Sequence, residues 1–228
     1  MLDEAFEALA KYDWGTDRAP LAPIDDAVAS GNKDLEARLI EALQSNISRD
    51  AKDYVCRKLT IVGTAAAVPA LSGLLADENH SHMARFALER MPTAEAAQAL
   101  RDSLAKVSGN LKVGVISSIG GRRDASAVSS LRGLLKDSDA SVARAAATAL
   151  GDIGSVEAAQ ALQQAKPSAA ETKQAVIDAQ LACAEALLAG NNTTEARAIY
   201  KSLAGDGQAK LVRLAATRGM LACAAKNA

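Results

Sequence analysis

The sequence predicts an all-α fold, a right-handed α-α superhelix (a solenoid) of repeated helical hairpins, and three observations carry that prediction. One phrase recurs about every 30 residues along the chain. Apolar residues inside each recurrence follow helical spacing. The composition is rich in alanine and leucine but only 3% aromatic. Ala and Leu lead the helix scale, whereas sheets favour Val, Ile, Thr and aromatics, so an interior of small and branched aliphatic groups means helices packed closely on helices.

The recurrence is visible in the segments 63–71 (Gly-Thr-Ala-Ala-Ala-Val-Pro-Ala-Leu), 92–100 (Pro-Thr-Ala-Glu-Ala-Ala-Gln-Ala-Leu), 123–131 (Arg-Asp-Ala-Ser-Ala-Val-Ser-Ser-Leu) and 154–162 (Gly-Ser-Val-Glu-Ala-Ala-Gln-Ala-Leu). Their terminal residues Leu71, Leu100, Leu131 and Leu162 follow one another at 29, 31 and 31 positions, and Leu39 precedes the first by 32. A sustained period of this size marks a stack of supersecondary units. Each unit splits into two helical stretches. Val142, Ala145, Ala146, Ala149 and Ile153 recur on one helical stripe, and an Ala-Leu helix ending near Leu162 follows. Gly63, Gly120, Gly121, Gly151, Gly154 and Pro92 are expected between helices. Ser168 with Glu171 and Asn192 with Glu195 have capping-box or closely related spacing.

With 228 residues, 49% of them apolar, the chain is long enough for a continuous core and unlike a disordered one. A net charge of −1 from interspersed acids and bases gives no field that attracts a polyanion, so no nucleic-acid partner is expected. Cys56, Cys183 and Cys223 are odd in number, far apart and set in apolar helical stretches, which reads as buried free thiols. The most apolar window, Thr60 to Ala76, is interrupted by Gly63 and Pro69 and is shorter than the ~20 residues a bilayer span needs. No membrane insertion is expected. Met1-Leu2-Asp3-Glu4 has neither a basic segment nor an apolar run, so no signal peptide is expected. The compartment is the cytoplasm by default, or the periplasm if the chain is a piece of a longer protein.

An arginine stands six or seven residues before the hinge in most first helices: Arg57, Arg85, Arg144 and Arg213. In one unit Gly114 takes that slot. These arginines either line a groove or stitch adjacent hairpins by bonding acids and carbonyls next door; stitching is the expectation for Arg57, Arg144 and Arg213. A hairpin that contacts only its neighbours needs such interface energy.

The stretch Ser141-Val-Ala-Arg-Ala-Ala-Ala-Thr-Ala-Leu-Gly151 followed by Asp152-Ile-Gly-Ser-Val-Glu-Ala-Ala-Gln-Ala-Leu162 resembles a HEAT repeat, armadillo-like, of the short bilin-lyase (PBS lyase) type. The resemblance covers Leu35 to Leu162, and more loosely Thr172 to Ala225, where the interval from Leu162 to Ile199 widens to 37 and reads partly like a tetratricopeptide hairpin. It extends to HEAT modules of planctomycete and verrucomicrobial multidomain proteins. The resemblance implies a scaffold that binds a protein or peptide on the concave face of stacked hairpins. It leaves open an accessory domain of a larger enzyme, or a chromophore-handling protein of the bilin-lyase kind.

Catalysis finds little support. His80 and His82 stand at positions i and i+2 of a helix start, where side chains diverge, so no metal site is expected. The di-iron hydroxylase of deoxyhypusine, also a helical-repeat enzyme, needs repeated His-Glu pairs, and this sequence has none. No catalytic residue and no cofactor are assigned.

The expected organisation is a helical cap over residues 1–31, HEAT-like repeats over 32–166 and longer hairpins over 167–228 that close the solenoid. Candidate binding residues are Arg122, Arg123 and Asp124, which place two guanidinium groups at an inter-helix turn, together with Arg85, His82 and Trp14. Trp14, Tyr12 and Phe6 are read as a hydrophobic end-cap, with docking of a partner as the alternative for Trp14. The partner is a protein or peptide, or a neighbouring domain of the same polypeptide.

Overall fold

A computed structural model describes residues 1–32, 34–167 and 169–226. Among the described residues there are fourteen α-helices, three 3-10 turns and no strand. The chain divides into two compact units, Met1–Ser118 and Ile119–Ala228. In each, helical hairpins stack in chain order, the arrangement of an α-solenoid.

The first unit begins with α1 (Leu2–Ala10), a 3-10 turn at Ala19–Leu21, α2 (Ala22–Ala29) and α3 (Leu35–Gln44). There follow α4 (Arg49–Val62), α5 (Val68–Ser72), α6 (Ser81–Arg90), α7 (Ala94–Ser103) and α8 (Gly109–Gly121), whose final turn starts the second unit. Like packs on like: α4 lies against α2 and α6, while α5 lies against α3 and α7. First helices thus form one layer and second helices another. The hairpin α2–α3 takes its first helix from the segment expected to be a cap, and α1 covers α2 from outside.

The second unit contains α9 (Val128–Leu134), α10 (Ala140–Ile153), α11 (Val156–Gln163), α12 (Ala170–Ala189), α13 (Thr193–Leu203) and α14 (Lys210–Lys226). Here α10 packs on α12, and α9 on α11. The last three helices contact one another, so α14 is a helix beyond the closing hairpin α12–α13. Its outer face exposes Leu211, Leu214 and Leu221.

The leucine register is the core. Leu39, Leu71, Leu100, Leu131 and Leu162 all have no exposed surface. Fully burying one such leucine contributes roughly 1.5–3 kcal/mol. The stripe expected on α10 is wider than the sequence spacing suggests. Val142, Ala146 and Ala149 are buried, Ala145 and Ile153 only half-buried, and Ala143, Ala147, Leu150 and Gly151 are buried as well. A helix touched by α9, α11 and α12 has more than one apolar face.

Helix starts are fixed by side-chain caps. Ser48, Thr64, Thr93, Asp124, Asp139 and Ser155 each accept a backbone N–H two or three residues on. Each cap satisfies a donor that the helix leaves unpaired. Asn192 does stand at the start of α13 but makes no side-chain cap bond; Ser168 lies outside the described residues, and the N-cap of α12 is Ala169, which has no side-chain acceptor.

Three glycines expected between helices lie inside them. Gly120 and Gly121 end α8, and Gly151 is in the last turn of α10. The reason is close approach rather than helix breaking. A Cβ on Gly120 would stand 2.9 Å from Ala149 Cα, and one on Gly151 would stand 3.0 Å from Ala179 Cα. Successive first helices meet backbone to backbone at these points. Gly154 does terminate α10, with φ +62° in the left-handed region.

Gly151→Val forces α10 away from α12, where the clashing atom is backbone and cannot rotate aside. We expect a loss of about 1–3 kcal/mol in urea unfolding. Unchanged stability would contradict the close-approach role.

Candidate functional site

The members of the arginine row share a register but not a bonding pattern. Arg57 pairs with Asp53 at 2.8 Å within α4 and lies 5.4 Å over the Phe86 ring of the next hairpin. Arg144 reaches from α10 to Glu171 on α12 at 3.0 Å, with Ser141 Oγ at 3.3 Å. Arg213 pairs with Asp206 at 2.6 Å, just ahead of its own helix. The ion pairs of Arg57 and Arg213 therefore stay within their own segments, and that of Arg144 crosses to the next hairpin.

Arg85 differs from all three. Its Nη1 donates to the Gly114 carbonyl at 3.0 Å and to Ser118 Oγ at 3.4 Å, both on α8. Among the described residues it forms no ion pair, and its buried Nε has no acceptor. Burial lowers its pKa, with the charge of Glu89 one turn away acting in the opposite direction. The glycine that interrupts the arginine row is what admits it, since a Cβ on Gly114 would stand 2.6 Å from the guanidinium carbon.

Beside Arg85 lies a cleft of about 520 Å³ between the starts of α6 and α8, lined by Glu78, Ser81, His82, Arg85 and residues 108–111. Ser81 is 2% exposed and its Oγ has no hydrogen-bond partner. Leaving a buried hydroxyl unpaired costs about 1–3 kcal/mol. The first-turn amides of His82, Met83, Asn110 and Leu111 donate to no acceptor among the described residues. His82 and Glu78 are exposed at the rim. The neighbouring His80 places Nδ1 2.9 Å from Asp77 Oδ1, which removes it from the cleft chemistry.

In the second unit the Gly120–Asp124 turn is shaped by a left-handed Arg123, φ +53°. Asp124 caps the 3-10 turn that leads into α9, accepting from the Ser126 amide at 3.1 Å. Arg122 is half-buried and Arg123 exposed. Burial raises the pKa of Asp152, and the Arg123 charge opposes that shift.

A second depression, about 570 Å³, runs between α9 and α11. Its lining combines small side chains, Ala125, Ser129 and Ala161, with the longer polar ones of Arg132, Glu157 and Gln160. Arg132 Nη2 donates to Gln164 Oε1 at 2.7 Å, tying the two second helices together.

Trp14 is 86% exposed, so it takes no part in the end-cap. At that end of the sequence Leu9, Leu21 and Ile24 are buried, Tyr12 is tilted against Tyr54 at 6.3 Å and Arg38 lies 4.1 Å above Phe6. Tyr54 donates to Asp25 Oδ1 at 2.8 Å, and Lys58 and Arg18 also pair with Asp25. Although burial pulls the other way, these partners hold the Asp25 carboxyl below its usual range. The three cysteines are buried with free thiols. Burial pushes Cys56 and Cys183 up to about 12, which leaves neither as a nucleophile at neutral pH.

Among the described residues no three His, Cys, Asp or Glu converge as a metal-binding group, and no helix is long and apolar enough to cross a membrane. The sequence misses Ser81 because a serine at a helix start reads as a cap. It misses the α9/α11 groove because small residues on second helices read only as packing.

Residues 104–180 match the family model described as HEAT repeats. No curated protein matches significantly. Among solved structures, two engineered proteins from the Northeast Structural Genomics Consortium are similar at 18% identity. One has a TM-score of 0.46 and covers 82% of this chain and 96% of its own; the other has 0.45 and covers 96% and 68%. Human deoxyhypusine hydroxylase in complex with glycerol is similar at 17% identity and TM-score 0.42, covering 98% of this chain and 96% of its own. The described residues form an α-helical repeat array, and the segment 104–180 within it is HEAT-like.

Two outcomes check this chemistry. In the folded protein at pH 8, a thiol reagent labels none of the three cysteines faster than unfolding allows; rapid labelling would contradict their burial. Arg144→Ala, which removes an ion pair whose partners are 43% and 72% exposed, lowers stability by no more than about 1 kcal/mol in urea unfolding.

Proposed function

We propose that the protein is a non-catalytic scaffold that binds an extended protein or peptide segment along its second helices, the face that is concave in HEAT-like stacks. The observation that carries this reading is the α9/α11 groove, lined by small side chains together with Arg132, Glu157 and Gln160. Small residues let a peptide backbone approach, while the amide, guanidinium and carboxylate groups can pair with main-chain donors and acceptors. Stacked hairpins supply such a surface without enclosing a reaction centre. The repeat is read as the short bilin-lyase type over residues 141–162. In the same unit, Arg122, Arg123 and Asp124 extend the polar contacts at the turn before α9. Trp14, an exposed aromatic at the other end of the sequence, serves as a docking side chain in this reading.

Site-specific photo-crosslinking tests it. A benzophenone amino acid replacing Ser129 in the groove captures a defined partner, while the same group replacing the exposed Arg197 does not. With the photoprobe moved to Gln160, Ser129→Trp fills the groove and reduces capture, with folding stability within about 0.5 kcal/mol of the parent. Equal capture from positions 129 and 197 would remove the groove as the binding surface.

A further inference from the structure

We propose that the cleft between the starts of α6 and α8 is a carboxylate-binding site, and that its occupant is an aspartate or glutamate side chain of a protein partner. The inference rests on the reading of the chain as a protein-binding scaffold and names a second contact, on the layer of first helices.

Two arginines in one register meet different neighbours. Arg144 on α10 finds its carboxylate in Glu171, supplied by the first turn of the next first helix. Arg85 on α6 lies instead against Gly114 and Ser118, further along its own neighbour α8, and the start of that helix, where residues 108–111 are Ser, Gly, Asn and Leu, carries no acid. The ion pair built into one junction is missing its acidic half in the other. In its place is an open cleft of about 520 Å³.

Three features show donors beside the cleft that lack an acceptor. Arg85 spends Nη1 on Gly114 and Ser118, while its Nε, buried where the guanidinium lies over Gly114, has no acceptor; turned off α8, the Nε–Nη2 edge is the one that pairs with both oxygens of a carboxylate. Ser81, on the same face one turn earlier, has a buried hydroxyl with nothing to bond. Unpaired amides of His82, Met83, Asn110 and Leu111 come from the starts of two helices of ten and thirteen residues, whose dipoles favour an anion at that end. A side-chain turn at Arg85 and Ser81 brings both donors onto the ligand. Glu78 on the rim sets the charge of that ligand. It disfavours a phosphate dianion more than a single carboxylate, and it can itself accept from the main-chain amide of an incoming peptide.

The test uses the full chain labelled with ¹⁵N and a blocked glutamate, N-acetyl-glutamate methylamide, at constant ionic strength. Saturable amide shifts confined to residues 81–85 and 108–111 are expected. N-acetyl-alanine, which offers only a main-chain carboxylate, and inorganic phosphate should each bind at least several-fold more weakly. Tighter binding of the first would overturn the choice of a side-chain source, and tighter binding of the second the choice of a carboxylate. Arg85→Gln should abolish the response. Because Arg85 also holds α8, Asn110→Glu provides the second variant. It places an acid at an exposed cleft position, in the role of Glu171, and should weaken the probe at least 10-fold while Asn110→Gln leaves it intact. Unchanged binding in Asn110→Glu, or no localised shifts in the parent, ends the proposal. Either result leaves the α9/α11 groove standing on its crosslinking test, and failure of that test leaves the titration unaffected.

Discussion

Backbone-to-backbone contact between successive first helices is the constraint on which the remaining architecture depends. Gly120 against Ala149 and Gly151 against Ala179 leave no room for a larger side chain, so the distance between neighbouring hairpins is set by atoms that cannot move aside. Once that distance is fixed, the second helices follow, and the leucine of each repeat is buried. A stack of this kind draws its stability from nearest-neighbour interfaces. The low aromatic content is a consequence: a ring would hold the helices apart.

The same spacing decides what the arginines do. Arg57, Arg85 and Arg144 each reach from a first helix toward the helix that follows in the same layer, and the residue found there determines the role. Glu171 turns Arg144 into an exposed tie, Phe86 offers Arg57 a ring face, and Gly114 lets Arg85 sink until it grips the α8 backbone. One repeated position thereby yields a surface ion pair, a cation–π contact and a half-buried unpaired charge. Function in a repeat array can arise from such departures, because the common parts are occupied with holding neighbours together.

Much of this was legible in the residues. The period located Leu39, Leu71, Leu100, Leu131 and Leu162, all of which are fully buried, because a leucine at fixed intervals in an alanine-rich helix has one place to go. The glycines were harder. Gly154 breaks a helix while Gly151, three residues earlier, continues one, and a sequence assigns the same letter to both. Trp14 shows the limit from another side. Its neighbours Tyr12 and Phe6 do cover the first helices, but a tight turn built on Asp13 and Thr16 points the chain outward at Trp14, and that turn rests on hydrogen bonds rather than on any apolar pattern. The partners of the arginines were least legible, since they depend on how far one helix is shifted along the next. The α6/α8 cleft is visible only once two helix starts from separate hairpins are side by side.

The exposed position of Trp14 also governs how the molecule can be watched. It is the sole indole in the chain, and it already meets water in the native state. Its emission therefore has little distance left to shift when the helices melt, so loss of helical circular dichroism is the signal that follows unfolding. The same isolation makes the indole a quiet background reporter, whose spectrum moves toward the blue when another surface closes over that end of the protein.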